Sequence, residues 1–205
     1  MVLHDEDRRT ELLGLARQGD AQAHGLLLEM YRPYLTLLAR LQIGRRLQGK
    51  VDPADMVQET FLEAARCFAQ FRGVSEPELT AWLRQILVAR LAHLVRRYYG
   101  TQARDIRLEQ ALTDDIYQSS QALQLAFIAT QSTPSQAVSQ REQAVLLADA
   151  LNCLPVDYRE VIILRHLEEL TFPEVSERMG RSVDSVEKLW VRALARLRRT
   201  LGGAQ

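Results

Sequence analysis

The sequence predicts an all-α protein of two small helical domains joined by a flexible linker, and its C-terminal domain reads as a helix-turn-helix. Apolar residues recur at helical spacing along most of the 205-residue chain, and no segment shows the sustained period-two alternation of a strand. Residues 100–132 are rich in Gln, Ser, Thr and Ala, a composition typical of a linker that holds one or two short helices. The domains are therefore predicted at 1–100 and 134–205, with the linker at 101–133.

The N-terminal domain contains strong helix-start signals. Asp20 predicts a helix that runs to about Ile43, with a kink at Pro33. Asp52 and Pro53 supply a capping carboxylate and a first-turn proline, so a second helix begins there. Its residues at helical spacing predict a face that packs into the core: Val57, Phe61, Ala64 and Phe68. The segment 71–73 is expected to end this helix, and another is predicted from about residue 79 to 99.

Capping signals also organise the C-terminal domain. Thr133 and Thr171 each begin a capping-box pattern, and the helices between them are expected to end near Cys153 and Glu168. Gly180 is suited to the left-handed conformation that stops a helix. Ser182 then caps a longer helix that extends to about Leu201.

This pattern of short helix, turn and longer helix is typical of proteins that insert the second helix into the major groove of DNA. The inner face is predicted to hold Val175, Met179, Val186, Trp190, Ala193 and Leu197. The outward residues near the helix start, which are candidates for DNA contact, are Ser182, Asp184, Ser185, Lys188 and Arg192. A structural helical hairpin with a solvated basic face is the alternative.

The chain has no net charge, with 26 basic and 26 acidic residues, but its charges are segregated. Residues 181–199 hold six basic and two acidic residues, and residues 84–107 hold six basic and one acidic. Residues 108–150 hold five acidic and one basic. Because phosphate affinity depends on local basic surface, each domain is predicted to carry its own DNA-binding patch.

The stretch 52–63 carries four carboxylates and no cation. Asp55, Glu59 and Glu63 lie one turn apart on a single helical stripe. One interpretation is an acidic docking surface for a basic partner. The other is that Asp52 and Asp55 cap the helix while the glutamates are solvated.

Several function classes lack support in the sequence. Cys67 and Cys153 lie far apart in apolar stretches and are predicted to be buried thiols, and the histidines show no metal-ligand spacing. No catalytic motif is present, so an enzyme is not expected, and neither a metal nor a cofactor is predicted. The sequence has no secretory signal and no membrane-spanning run, so a cytoplasmic location is predicted.

Two sets of motifs resemble bacterial RNA polymerase sigma factors. The first set is Asp52-x-x-Asp55-x-Val57-Gln58-Glu59-Thr60-Phe61, then Phe71-Arg72-Gly73, then Ala81-Trp82-Leu83 with Ile86. The second is Leu154-Pro155-x-x-Tyr158-Arg159-x-Val161-Ile162-x-Leu164-Arg165, followed by the helix-turn-helix and Arg192-Ala193-x-x-Arg196-Leu197-Arg198. With only these two domains, the chain is similar to the extracytoplasmic-function (ECF) branch of the family.

The resemblance implies a transcription initiation factor that binds core RNA polymerase, directs it to specific promoters and helps to melt the DNA. Polymerase binding would fall to Asp55, Gln58 and Glu59, which favours the docking interpretation. The segment Arg72–Leu79 would hold a flipped base, and the melting region would use Arg72, Trp82, Arg84, Arg90, Arg96 and Arg97. The upstream promoter element would be read by Arg181, Ser182, Asp184, Ser185, Lys188 and Arg192.

The expected partners are core RNA polymerase and promoter DNA, with an anti-sigma factor as a further candidate. A different class of function stays open from the residues alone. A stand-alone helix-turn-helix regulator with a helical sensing domain would bind operator DNA unaided, and it would need no acidic docking helix. A purely structural helical adaptor is a second alternative.

Overall fold

The computed structural model describes residues 2–46, 51–99, 110–119 and 140–202, and every regular element within these ranges is a helix. The backbone divides into two compact units, the first containing the helices up to residue 119 and the second those from Gln140 onward. The predicted all-α fold class is confirmed.

The first unit is built around three mutually packed helices. The helices in order are α1 (Val2–Arg17), α2 (Ala21–Met30), α3 (Arg32–Arg46), α4 (Pro53–Cys67) and α5 (Glu76–Tyr99). α3, α4 and α5 each contact the other two. Leu35, Val57 and Leu83 from these helices are fully buried between them. This arrangement fixes the directions of α4 and α5, the two helices that carry the predicted site residues.

The helix starts were predicted correctly where a capping side chain marks them. The Asp52 carboxylate accepts a hydrogen bond from the Ala54 amide at 2.8 Å, and α4 begins at the following proline. Asp20 caps α2 in the same way, accepting from the amides of Gln22 and Ala23.

Three helix boundaries differ from the prediction, and one is the start of α5, which begins at Glu76 and not near residue 79. The helix expected from Asp20 to Ile43 is two helices that break at Tyr31, because Pro33 lies in the first turn of α3, where its missing N–H loses no helical bond. α4 ends at Cys67 and passes into a short 3₁₀ turn, Phe68–Gln70, so the helix stops before the segment 71–73 that was expected to end it.

A buried ion pair joins α1, an element that the sequence analysis did not predict, to the start of α5. The Arg9 Nε lies 2.9 Å from the Glu76 Oε2, and the two side chains are only 1% and 9% exposed. The Thr10 hydroxyl donates to the other Glu76 oxygen at 3.1 Å. α1 therefore supports the point where α5 begins.

One further helix, α6 (residues 110–119), lies inside the segment predicted as the linker. Leu112 and Ile116, one turn apart, are almost fully buried. The Gln42 side-chain amide of α3 donates to the Ser119 hydroxyl at 3.2 Å. α6 therefore belongs to the first unit and contacts α3.

In the second unit, one long helix packs across three shorter ones. These are α7 (Gln140–Asn152), α8 (Val156–Ile162), α9 (Phe172–Met179) and the long α10 (Val183–Gly202), with a π-helical turn (Ile163–Leu167) after α8. α10 contacts α7, α8 and α9. The helix ends predicted near Cys153 and Glu168 agree with the ends of α7 and of the π turn, whereas the capping box at Thr133 lies outside the described residues.

Candidate nucleic-acid interface

The turn between α9 and α10 forms as its residues predict. The Glu174 carboxylate accepts from the Thr171 amide at 2.7 Å and from its hydroxyl at 2.6 Å, which completes the start of α9. These hydrogen bonds hold the pKa of Glu174 below its usual range. Gly180 ends α9 at a φ of 63°, the left-handed conformation that a side chain would disfavour. The Ser182 hydroxyl then accepts from the Ser185 amide at 3.3 Å, at the start of α10.

The exposed face of α10 carries the residues predicted to contact DNA. Ser182, Asp184, Lys188 and Arg192 are exposed and Ser185 is partly exposed. The inner face consists of Val186, Leu189, Ala193, Leu197 and Leu201, all buried. Met179 and Trp190, predicted for the inner face, are only partly buried, and Leu189 takes up interior space that the sequence analysis had not assigned to it.

Two of the predicted DNA-binding cations are engaged in ion pairs within the second unit. The Lys188 ammonium lies 2.7 Å from the Asp184 carboxylate, one turn earlier on α10. The Arg181 guanidinium lies 2.5 Å from Asp157 at the start of α8. Both pairs are largely exposed, so each is worth under about 1 kcal/mol and is weak enough for a phosphate to displace. Arg192 forms no ion pair with any described residue.

An aromatic cluster fixes α10 against the π turn. The Trp190 Nε1–H donates to the His166 Nε2 at 3.0 Å, and the two rings stack with centroids 5.9 Å apart. Phe172 meets the indole edge-on, and the Arg165 guanidinium lies over the Phe172 ring. Burial, with the neighbouring Arg165 charge, lowers the pKa of His166. The imidazole is therefore neutral at pH 7, as a hydrogen-bond acceptor must be.

In the first unit, a second aromatic cluster lies behind the segment Arg72–Leu79. The rings of Phe68, Phe71 and Trp82 each contact the other two, with centroids 5.1–6.1 Å apart. His24 stacks on Phe68 at 4.0 Å, and burial lowers the pKa of its imidazole. Trp82, a predicted melting residue, therefore has part of its ring in this cluster and part exposed.

The start of the same segment is held by hydrogen bonds and close packing. The Glu78 carboxylate accepts from the amides of Val74 and Ser75 at 2.8 and 3.0 Å and from the Ser75 hydroxyl at 2.7 Å, and these bonds lower its pKa. A Cβ on Gly73 would come within 2.4 Å of the Phe71 ring. Arg72 and Val74 project into solvent from this ordered backbone.

The four arginines predicted on α5 differ in their surroundings. Arg84 donates to the buried Tyr34 hydroxyl at 3.4 Å, so its stem lies against α3. Arg90 is two-thirds buried and lies 3.4 Å from Glu63 of α4. Arg96 is partly exposed and Arg97 is exposed, at the C-terminal end of the helix. Arg97 is thus the most accessible of the four to a phosphate.

The predicted docking residues share an exposed face of α4. Asp55, Gln58 and Glu59 are all exposed. The side-chain amide oxygen of Gln58 accepts a hydrogen bond from the Arg32 guanidinium at 3.3 Å. Leu62, 52% exposed on the same side of the helix, extends this face with an apolar surface that the sequence analysis missed. Leu62 follows Glu59 by three residues and Gln58 by four, and this helical spacing could have indicated it.

Glu63, the third carboxylate of that helical stripe, is paired within the first unit, unlike the other two. Glu63 is largely buried and pairs with Arg90 at 3.4 Å and Arg66 at 3.8 Å. It also accepts from the Cys67 thiol, whose pKa is raised by desolvation and by this carboxylate. Within this stripe, the two exposed carboxylates that form no ion pair with a described residue are therefore Asp55 and Glu59.

The described residues contain no group of three or more His, Cys, Asp or Glu that could hold a metal ion. Cys67 is partly buried but Cys153 is exposed, so the prediction of two buried thiols is wrong for Cys153. Among the helices that the structure describes, none combines the length and hydropathy needed to cross a membrane.

Comparison with known proteins finds similar sequences for both units. The family described as Sigma-70, region 4 matches residues 144–197, the second unit. The ECF RNA polymerase sigma-E factor of Haemophilus influenzae is 29% identical over 182 residues, 89% of each chain. The ECF RNA polymerase sigma factor BldN of Streptomyces coelicolor is 27% identical and covers 96% of this chain and 67% of its own. The RNA polymerase sigma factor YlaC of Bacillus subtilis is 26% identical over 84% of this chain and 90% of its own.

A chain of the solved RsbN–BldN complex covers 91% of this chain and 97% of its own at 23% identity, with a TM-score of 0.30, too low to support a structural comparison. The helix-turn-helix and the relatives that span both units define a DNA-binding transcription factor. Over most of its length the chain is similar to bacterial RNA polymerase sigma factors, including relatives named as ECF sigma factors.

Proposed function

We propose that the chain binds core RNA polymerase, directs it to specific promoters and helps to open the DNA. The main support for this function is that relatives named as sigma factors align across both units. The similarity is therefore not confined to the helix-turn-helix. A stand-alone regulator accounts for the second unit only, and it leaves the exposed acidic face of α4 without a role. That alternative is not favoured.

The docking role belongs to Asp55, Gln58 and Glu59. These side chains share one exposed face of α4, and the neighbouring Leu62 offers apolar area to the same partner. An acidic face with an apolar neighbour suits a basic, partly apolar surface on the polymerase. Core polymerase acts in the cytoplasm, so the chain works there, and its role is to position an enzyme rather than to catalyse a reaction itself.

Promoter contact divides between the two units. Arg72, Trp82, Arg84, Arg90, Arg96 and Arg97 meet the opening DNA in the first unit. Arg181, Ser182, Asp184, Ser185, Lys188 and Arg192 meet the upstream element in the second. Since α6 packs on the first unit, the linker proposed for 101–133 has an ordered helix within it, and the boundaries 1–100 and 134–205 remain predictions. An anti-sigma factor is a further predicted partner.

The test is core binding by a charge-reversal variant. Asp55→Arg with Glu59→Arg replaces two exposed carboxylates one turn apart, which should leave the fold intact while removing the docking charge. Each lost charge-assisted contact should cost about 1.5–3 kcal/mol of binding free energy. The assay is affinity for core polymerase, measured with circular dichroism as a check on helicity.

The chain offers a matched control on α1. Asp7 and Glu11 are also exposed and one turn apart, so Asp7→Arg with Glu11→Arg makes the same charge change on a different surface. This control should bind core polymerase normally. Equal binding by both variants and the wild type would contradict the docking assignment.

A further inference from the structure

We propose that Glu187, which neither motif set assigns, is a specificity-determining residue for the upstream promoter element. Its carboxylate accepts a hydrogen bond from the exocyclic amino group of a base in the major groove, with cytosine N4 as the preferred donor. This rests on the proposed function, because it requires α10 to lie in the major groove.

The position of Glu187 follows from the helix period of about 100° per residue. The buried residues Val186, Ala193 and Leu197 mark the back of α10. Asp184 lies close to the opposite side, and Glu187 lies about 60° from it around the axis, still on the exposed arc. Glu187 is in the second turn of the helix, within the N-terminal part that reaches base edges in this motif.

The charge environment separates Glu187 from the other carboxylate of α10. In the free chain Asp184 pairs with the Lys188 ammonium at 2.7 Å, and the nearby Arg181 pairs with Asp157. Glu187 is exposed and forms no ion pair with any residue that the structure describes. It therefore presents an unneutralised acceptor on the face that approaches the DNA.

An unneutralised carboxylate in the major groove favours base edges that present a hydrogen-bond donor. Phosphate oxygens repel it, and the acceptor edges of guanine and thymine offer it no hydrogen. The groups that suit it are the amino donors, cytosine N4 and adenine N6, and a carboxylate pairs most directly with cytosine N4 because adenine also presents the N7 acceptor. An exposed Val191 on the same face, 58% accessible, can contact the methyl group of an adjacent thymine.

The experiment is selection from a promoter library randomised across the upstream element, with polymerase reconstituted from core enzyme and the full chain. The wild type should enrich cytosine at one position by at least about 5-fold over guanine and thymine. Glu187→Ala should lose this preference at that position and keep the others. Glu187→Gln should shift it toward adenine, since an amide pairs with both N6 and N7 of adenine. Glu177→Ala, an exposed glutamate on α9, is the matched control and should leave the profile unchanged.

The outcomes separate the inference from the proposed function. Adenine enriched by the wild type and lost in Glu187→Ala would support the amino-donor contact and assign it to adenine. An unchanged base profile in Glu187→Ala would overturn the inference while leaving the proposed function intact. A wild-type complex that enriches no upstream element at all would count against the proposed function.

Discussion

The buried ion pair between Arg9 and Glu76 gives the sharpest stability prediction. Both side chains are almost fully withdrawn from water, at 1% and 9% exposure, and Glu76 also accepts from Thr10. Glu76→Gln keeps the shape and one acceptor but removes the negative charge that lies 2.9 Å from the buried Arg9 guanidinium. Removing one partner of a buried pair costs about 3–5 kcal/mol, and the retained amide acceptor places this variant near 3 kcal/mol.

The same substitution in an exposed pair provides the control. Glu29 lies closer to its partner Arg32, with two oxygens at 2.6 Å, but its side chain is 56% exposed. Because solvent screens exposed charges, Glu29→Gln should cost less than about 1 kcal/mol despite the shorter contacts. The comparison shows whether burial, rather than distance, decides the magnitude.

The assay exploits the placement of the two tryptophans, one in each unit. In a Trp190→Phe background the fluorescence of Trp82 reports unfolding of the first unit alone, by heat or urea. Glu76→Gln should lower the melting temperature of this unit by about 10 °C. Equal midpoints for Glu76→Gln and Glu29→Gln would refute the reasoning.

Three further predictions follow from local contacts. Gly73→Ala places a Cβ 2.4 Å from the Phe71 ring, so it should weaken promoter opening with core binding unchanged. The control is Gly14→Ala, whose Cβ meets no atom within 4 Å and which should be neutral or stabilising. Equal promoter opening by both variants would contradict this. Folding lowers the pKa of His166, so as the pH falls the unfolded chain takes up a proton before the folded chain does. The stability present above about pH 6.5 should therefore be lost as the pH falls below that value. His166→Gln should flatten the dependence of the melting temperature on pH, and an unchanged slope would contradict this. Leu112 is fully buried, so Leu112→Asp should detach α6 and expose it to proteolysis. Ala111→Asp, on the exposed side of α6, should not. Equal cleavage of the two variants would show that α6 does not pack as described.

The helix starts could be predicted from the sequence because their causes are local. Asp52, Thr171 and Ser182 each bond to a group within three residues, and Gly180 needs only its own backbone freedom. Such signals are complete within a short window of sequence. The break at Tyr31 was missed since a proline near a helix start and a proline at a kink look alike in sequence.

The electrostatic state of the candidate site could not be predicted in the same way. Arg90 pairs with Glu63 from a different helix, and Arg181 pairs with Asp157 across the second unit. Charge counts over a sequence window revealed the local excess of basic residues. They could not reveal which of these residues already form ion pairs within the folded chain. The packing of α6 likewise depends on a distant contact, to Gln42.

Reconstituted transcription tests the central claim most directly. Core RNA polymerase is incubated with a fragmented bacterial genome, with and without the full chain, and the 5′ ends of the transcripts are mapped. We expect new start sites that share an upstream element and a melting-region element at a fixed spacing. These sites should be absent with core enzyme alone and absent with Asp55→Arg/Glu59→Arg. Sequence-specific DNA binding by the free chain, with no change in where core polymerase initiates, would contradict it.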